Sequence, residues 1–524
     1  MSTKNNSNNV VNSVLSMLDE KFKKIFTNVV IFLVILASIS IIIRLYYFPY
    51  GIPISLDGLL YFWYASDTSV LGHIPSGYSF PNNLWPLTLS VLFSVVRSDN
   101  FLDLMYVQRF ATIVISVVTI IPMYLLCKKF FDKPYALIGT SLFVLEPRII
   151  QNSISGLTEP LFIFIGISTF VLFLSDRMKI TYVSFATTAL FSLVRYEGLL
   201  LIIPLTIMFF IRFRSKNKVI FRYLIALSIF ILVLLPIAYI RIQSTGQDGI
   251  ISHVIGNAKI ASIGITSNDH VNAKFSLING AYIFGKLISW STIPIYFLFI
   301  PFGIYMIFRN KNHNNYTIIV CGLTLLLPAI YAYSRGIEEI RYLYIIFPLF
   351  SLISIFTIKK IVERFERKNI ILVLIILGIL ISSILFLNWK IDNEHERESI
   401  KIAEEVAKRT TVINDYHPES VYLRTVGFSD FQDFSGKRTV IHGKITVLFA
   451  EKFKSLEEFL DYGKDHGLKY LLVDDNRNRP EFLINVFENE KNYPYLIKEF
   501  DSADIGFKYH VKIFKIEYNV LNEK

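Results

Sequence analysis

Long apolar runs alternate with short polar breaks through most of this chain, and most of the runs are long enough to cross a bilayer. The first covers residues 29–48, about 20 residues. Further runs lie at 106–126, 134–145, 157–174, 180–194, 198–211, 220–240, 282–308, 316–333, 342–358 and 370–387, which predicts about eleven transmembrane helices in an all-α polytopic membrane domain. Residues 134–145, 180–194 and 198–211 are short for a hydrocarbon layer of about 30 Å, since about 12 to 15 residues make only about 18 to 23 Å of helix. Reading 134–174 and 180–211 as hairpins keeps their basic flanks on one side. It also leaves Glu146, Arg148, Glu159, Arg195 and Glu197 sunk in a wet, protein-lined crevice.

Beyond residue 388 the pattern changes to alternating and amphipathic segments, which predicts a soluble C-terminal α/β domain over 389–524. Its helices are expected at 394–408, 455–463 and 480–488, and its strands at 470–473, 495–499 and 509–516. Asp474 and Asp475 end a strand and are expected to face water. At the other end, residues 1–27 form a cytoplasmic tail, Asn/Ser-rich and expected to be disordered over 1–12, with Lys21, Lys23 and Lys24 ahead of a retained first span.

Composition sharpens this picture. With 53% hydrophobic and 18% charged residues, the chain is no ordinary soluble domain. The net charge of +11 sits mostly in short loops between apolar runs, a positive-inside signature, so nucleic acid is excluded as a partner. Cys127 and Cys321 lie within or at the edge of spans and fit neither a metal spacing nor a disulfide framework. With the basic loops cytoplasmic, the opposite face collects the long first loop at 49–105, the Glu146-Pro-Arg segment, Thr158-Glu159, Arg195-Tyr-Glu197, the 241–280 loop and residues 335–341. An extracytoplasmic active site follows. In that first loop Asp57 stands among aromatics, in Leu-Asp-Gly-Leu-Leu-Tyr, and is the candidate catalytic base.

The arrangement of Asp57, Pro147-Arg148, Thr158-Glu159, Arg195-Tyr-Glu-Gly and the Arg341-Tyr-Leu-Tyr-Ile-Ile-Phe-Pro stretch resembles the GT-C superfamily of membrane glycosyltransferases, over about residues 20–390. Within it the chain is similar to the branch of protein O-mannosyltransferases and the lipid A aminoarabinose transferase. Two departures stand out: Asp57-Gly58 replaces the Asp-Glu pair of the protein mannosyltransferases, and the Trp-Trp-Asp motif of oligosaccharyltransferases is absent.

The resemblance implies transfer of mannose or a similar hexose from a polyprenyl- or dolichyl-phosphate sugar to a glycan, lipid or protein hydroxyl, by one-step inverting displacement. The departing phosphate needs fixed cations, for which Arg335 and Arg341 lead, with Arg195, Arg241 and Lys274 behind them. Tyr61, Asp67, Glu146, Arg148, Glu159 and Glu197 are substrate-binding candidates; Glu146 with Arg148, and Arg195 with Glu197, equally read as structural ion pairs. No cofactor is required, and a divalent metal held by Asp57, Asp67 and His73 is the weaker alternative. The expected location is a prokaryotic cell membrane, an archaeal one included, with membrane lipids as partners. Two other classes compete, a transporter or lipid flippase and a non-catalytic scaffold. Transport predicts uptake that survives loss of the tail, and a scaffold predicts that Asp57→Ala leaves glycans unchanged.

Overall fold

The computed structural model describes residues 2–54, 56–76, 78, 80–96, 98, 100–266, 275–309, 312–399, 401–402, 453–465, 468–477 and 479–521. These fall into two units. One comprises Met1–Phe48, Asp57–Arg97 and Tyr106–Ile391, and the other Pro49–Leu56, Ser98–Met105 and Asp392–Lys524.

Eighteen helices precede the C-terminal domain among the described residues. They are α1 (Ser2–Thr27), α2 (Val29–Tyr46), α3 (Leu56–Leu71), α4 (Leu84–Val95), α5 (Phe101–Val118), α6 (Ile120–Lys128), α7 (Lys133–Val144), α8 (Pro147–Ser153), α9 (Glu159–Phe173), α10 (Met178–Val194), α11 (Ile202–Phe213), α12 (Val219–Thr245), α13 (Ile251–Thr266), α14 (Leu277–Thr292), α15 (Ile300–Arg309), α16 (His313–Ser334), α17 (Phe347–Val362) and α18 (Lys368–Lys390). Among the described residues, seven helical stretches are long and apolar enough to cross a membrane: Val29–Tyr46, Leu102–Lys128, Tyr196–Phe213, Val219–Thr245, His313–Ser334, Ile340–Val362 and Lys368–Ser399. Shorter apolar helices, α4, α9, α10 and α15, stand beside them. The chain is a multi-pass membrane protein.

Three expectations for the chain ahead of the C-terminal domain need correcting. Residues 2–12 are helical, continuous with the rest of α1. The run at 282–308 is two helices, α14 and α15, broken where Pro294, which has no amide hydrogen to donate, stops the ladder. The first loop carries α3 and α4, because Tyr61, Phe62, Trp63 and Tyr64 are buried and Trp85 is wholly enclosed. Glycine permits a close helix-to-helix approach: a Cβ on Gly280 of α14 would lie 2.8 Å from the backbone of Ser334 on α16.

Among the described residues the C-terminal unit holds a three-stranded antiparallel sheet, β1 (Tyr470–Asp474), β2 (Leu496–Asp501) and β3 (Val511–Ile516), in the order β1-β3-β2. Helices α19 (Leu456–Asp465) and α20 (Glu481–Glu488) contribute to its core through Phe459, Leu460, Leu483 and Val486 against Leu471, Val473, Phe514 and Ile516. The expected strands are present within one or two residues at their ends. Of the helix expected at 394–408, residues 394–399 and 401–402 are helical and the others lie outside the described residues. Asp474 does not face water. It is buried, and a carboxylate there needs partners: Arg479 donates to both its oxygens, at 3.0 and 2.8 Å, and the Tyr509 hydroxyl to one, at 3.1 Å.

Candidate active site

Four helix starts build the site. Asp57 lies in the first turn of α3, Glu159 opens α9 ahead of Pro160, and Arg195 takes an extended conformation that ends α10. A 3₁₀ turn at Tyr196–Leu201 then carries Glu197, and a second at Ile340–Ile346 carries Arg341 and Tyr342. Breaks between helices are where a polar side chain can leave the apolar packing without costing the ladder a hydrogen bond.

These turns bring Glu159, Arg195, Glu197, Arg341 and Tyr342 to one crevice, together with Phe162, Ile163, Leu325, Pro328 and Ile345, of about 400 Å³ counted out to open solvent. Within it Arg195 is caged. Its two terminal nitrogens donate to Glu159 Oε1 at 2.7 Å and Glu197 Oε1 at 2.9 Å, and its guanidinium lies 5.5 Å from the Tyr342 ring centre. The second oxygens, Oε2 of Glu159 and of Glu197, are buried and accept no hydrogen bond among the described residues. Arg341 turns the other way. Its Nη2 meets Asp57 Oδ2 at 2.5 Å and its Nε lies 3.6 Å from Glu339 Oε2. The side chain of Asp57 is 44% exposed and that of Arg341 22%, so this pair is open to solvent where the Arg195 pairs are not.

A hydrogen-bonded chain supports the Glu197 turn. Arg335 Nη1 donates to the Tyr331 hydroxyl at 3.2 Å, Tyr331 to Asn257 Oδ1 at 3.2 Å, and Asn257 Nδ2 to the Tyr196 hydroxyl at 2.9 Å. Tyr61 accepts from Asn82 Nδ2 at 3.0 Å, and Asn82 Oδ1 accepts the Tyr196 amide at 3.4 Å. Tyr61 therefore braces the same turn and is within electrostatic reach of Arg195, Glu159 and Asp57.

The remaining candidates are engaged elsewhere. Glu146 caps α8 and pairs with Arg148 at 3.2 Å; Arg148 also donates to the Ile293 carbonyl and, at 2.9 Å, to that of Trp290. With its guanidinium 4.6 Å from the Phe386 ring centre, Arg148 is a clasp on the turn after α14, the structural alternative left open by the sequence. Arg241 is fully buried and donates to the Tyr78 carbonyl at 2.8 Å; Asp67 accepts the Tyr78 hydroxyl. Both hold the first loop. Lys274 lies outside the described residues. Missed by the sequence reading were Tyr196, Asn257, Tyr331 and Tyr342. The places of Tyr342 beside Arg341 and of Tyr196 between Arg195 and Glu197 were the available signals.

A divalent cation held by Asp57, Asp67 and His73 does not fit this geometry. Asp57 is on Arg341, Asp67 on Tyr78, and a His73 ring nitrogen faces the Ile74 carbonyl at 3.2 Å. Among the described residues no three His, Cys, Asp or Glu side chains come together.

No protein-family profile matches the sequence, and no curated protein matches it. Solved structures do. The Archaeoglobus fulgidus oligosaccharyltransferase in complex with Zn and sulfate superposes with a TM-score of 0.57 at 14% identity, over 90% of this chain and 71% of that one. The same organism's oligosaccharyltransferase AglB, solved with an inhibitory peptide and a dolichol-phosphate, gives 0.57 at 13% identity, over 92% and 74%. Apo ArnT from Cupriavidus metallidurans gives 0.50 at 9% identity, over 93% and 98%. The likeness thus extends to oligosaccharyltransferases although Trp-Trp-Asp is absent here. With these proteins the chain shares its fold, a helical membrane domain followed by a small sheet domain.

Proposed function

We propose that this chain is a membrane glycosyltransferase that moves a sugar, mannose or a similar hexose, from a polyprenyl-phosphate carrier to a hydroxyl acceptor at the extracytoplasmic face. The observation that carries the reading is the Asp57–Arg341 pair, partly exposed, with Arg341 also lining the crevice. A base and a phosphate-binding cation are the two groups that direct displacement at an anomeric carbon needs. The dolichol-phosphate bound to a protein of the same fold supports a lipid-phosphate carrier.

Arg195 has both terminal nitrogens committed to glutamates, so its part is to hold Glu159 and Glu197. Their free Oε2 atoms are acceptors without donors, which suits sugar hydroxyls. Arg341 is the cation that a donor phosphate can draw away, since its partners are half exposed. As Arg341 swings onto the phosphate it releases Asp57 Oδ2. Asp57 then takes the acceptor hydroxyl proton while the acceptor oxygen bonds to the anomeric carbon and the carbon–phosphate-oxygen bond breaks. The electron pair leaves on the phosphate, neutralised by Arg341. Attack opposite the leaving group inverts the anomeric centre, and a phosphate monoester leaves without needing a proton.

The test is polyprenyl-phosphate binding to purified protein. Arg341→Gln should weaken it at least ten-fold, and Asp57→Asn should tighten it, because the competing carboxylate is gone. Equal affinity in wild type and both variants would remove Arg341 from the site.

A further inference from the structure

The N-terminal helix plays no part in that chemistry, yet its surface is unusual. At 3.6 residues per turn, Val14, Leu18, Lys21 and Ile25 share one face of α1, with Met17 at its edge. All are exposed, Val14 at 48% and Met17 at 56%. An adjoining face, Asp19, Phe22 and Phe26, is the docked one. Phe26 is buried and stacks on Phe32 of α2 at 5.5 Å, and Phe22 packs against the membrane-domain core. Lys23 and Lys24 are exposed on the remaining surface with Glu20.

Asp19 fixes the level of the helix. Its carboxylate accepts the amides of Asn369 and Ile370 at 3.1 and 3.2 Å and the Asn369 side chain at 3.0 Å, capping the first turn of α18. That turn is where Lys368 gives way to the apolar run starting at Ile370, so α1 is pinned at the boundary between headgroups and hydrocarbon. The chain breaks at Asn28, whose side chain caps α2, and this frees α1 from continuing the α2 axis. Arg364 and Phe365 in the connection between α17 and α18, and Lys368 at the start of α18 that Asp19 caps, are all exposed.

We propose that α1 is an interfacial anchor whose Val14–Leu18–Ile25 face sinks into the acyl boundary of an anionic leaflet, with Lys21, Lys23, Lys24, Arg364 and Lys368 on the phospholipid headgroups. A helix with an apolar stripe, a basic flank and a position at the end of a membrane span meets the physical requirements for lying in the interface. Lys21, in the middle of the stripe, reaches back to the headgroups along its own methylenes. Anionic lipid is the occupant because the exposed cations flank the stripe, and each basic residue near such a surface adds attraction that falls away with salt.

Full-length protein in nanodiscs tests this with an environment-sensitive dye at Val14→Cys, Cys127 and Cys321 being buried, and Glu20→Cys as the polar-face control. Nitroxides on the upper acyl chain should quench the Val14→Cys probe at least three-fold more than the Glu20→Cys probe, and aqueous iodide should do the reverse. In native mass spectrometry, the exposed-site variant Lys21→Gln/Lys23→Gln/Lys24→Gln, with an unchanged thermal midpoint, should retain several-fold fewer phosphatidylglycerol molecules than wild type and equal numbers of phosphatidylcholine. Equal iodide quenching at the two positions would overturn the proposal. So would protection of the Val14→Cys probe that appears only as protein concentration rises, since a second copy would then cover the stripe. Undiminished phosphatidylglycerol retention would do the same.

Discussion

Replacing Arg195 by Met separates the structural from the chemical content of the crevice. The Arg195 side chain is 11% exposed and its guanidinium pairs with two carboxylates whose side chains are 4% and 13% exposed. Its removal leaves Glu159 and Glu197 buried without the guanidinium that pairs with both. Breaking a buried pair by deleting one partner costs about 3 to 5 kcal/mol, because the remaining charge keeps its desolvation penalty. Two carboxylates are stranded here, so the loss should fall at the upper end, about 5 kcal/mol. Neutralising them should reverse most of it: Glu159→Gln/Arg195→Met/Glu197→Gln should recover more than half of the loss, a non-additivity expected only of side chains in direct contact. Glu159→Gln alone should cost less, since Glu197 still accepts from Arg195 at 2.9 Å. The assay is thermal unfolding of the detergent-solubilised full chain, all variants in one detergent at one scan rate. An unchanged midpoint for Arg195→Met, or a triple variant less stable than Arg195→Met, would refute the reasoning.

Other consequences are more local. Gly280→Ala should destabilise the full chain by about 1 to 3 kcal/mol, read as a lower thermal midpoint. Adding Ser334→Ala should not restore it, because the new Cβ meets Ser334 backbone atoms at 2.8 Å as well as the hydroxyl. Asp474→Asn should expose the β1 end to protease in limited proteolysis, since Arg479, bidentate on that carboxylate, and Tyr509 lose a charged acceptor. In the same domain, burial acts to raise the Asp501 pKa, but the Ala503 amide and His510, at 2.6 Å, outweigh it and hold it below the usual carboxylate value. Its stabilisation is therefore present above about pH 4 and lost as pH falls through the folded value; Asp501→Asn should lower the proteolysis resistance of the domain at pH 7 and converge with wild type in acid.

Much of the fold was legible because it rests on local periodicity. The bounds of α2, α7, α9, α10, α16 and α18 lie within a few residues of the apolar runs that predicted them. Residues 282–308 failed for a physical reason: hydropathy counts apolar residues and is blind to the lost amide at Pro294. The helices α3 and α4 were hidden because their aromatics pack inside the protein without making a run of membrane length. At the site, the sequence supplied the residue types and the two local pairs, Glu146 with Arg148 and Arg195 with Glu197. Nothing local tells Arg195 to choose Glu159, 36 positions away, as well, or Arg341 to choose Asp57. Arg241, a candidate for the donor phosphate, and Arg148, a candidate for substrate, donate instead to the Tyr78 and Trp290 carbonyls, contacts that no local pattern announces.

The most direct measurement of the central claim is donor consumption by purified wild type beside Asp57→Asn, given a panel of polyprenyl-phosphate sugars and an acceptor extract from the native membranes. The account predicts that wild type releases polyprenyl phosphate from one of these donors, while Asp57→Asn binds that donor at least as tightly and turns it over at least a hundred-fold more slowly. Equal turnover by the two proteins would place the base elsewhere, and a folded wild type that consumes none of the donors would contradict the glycosyltransferase account itself.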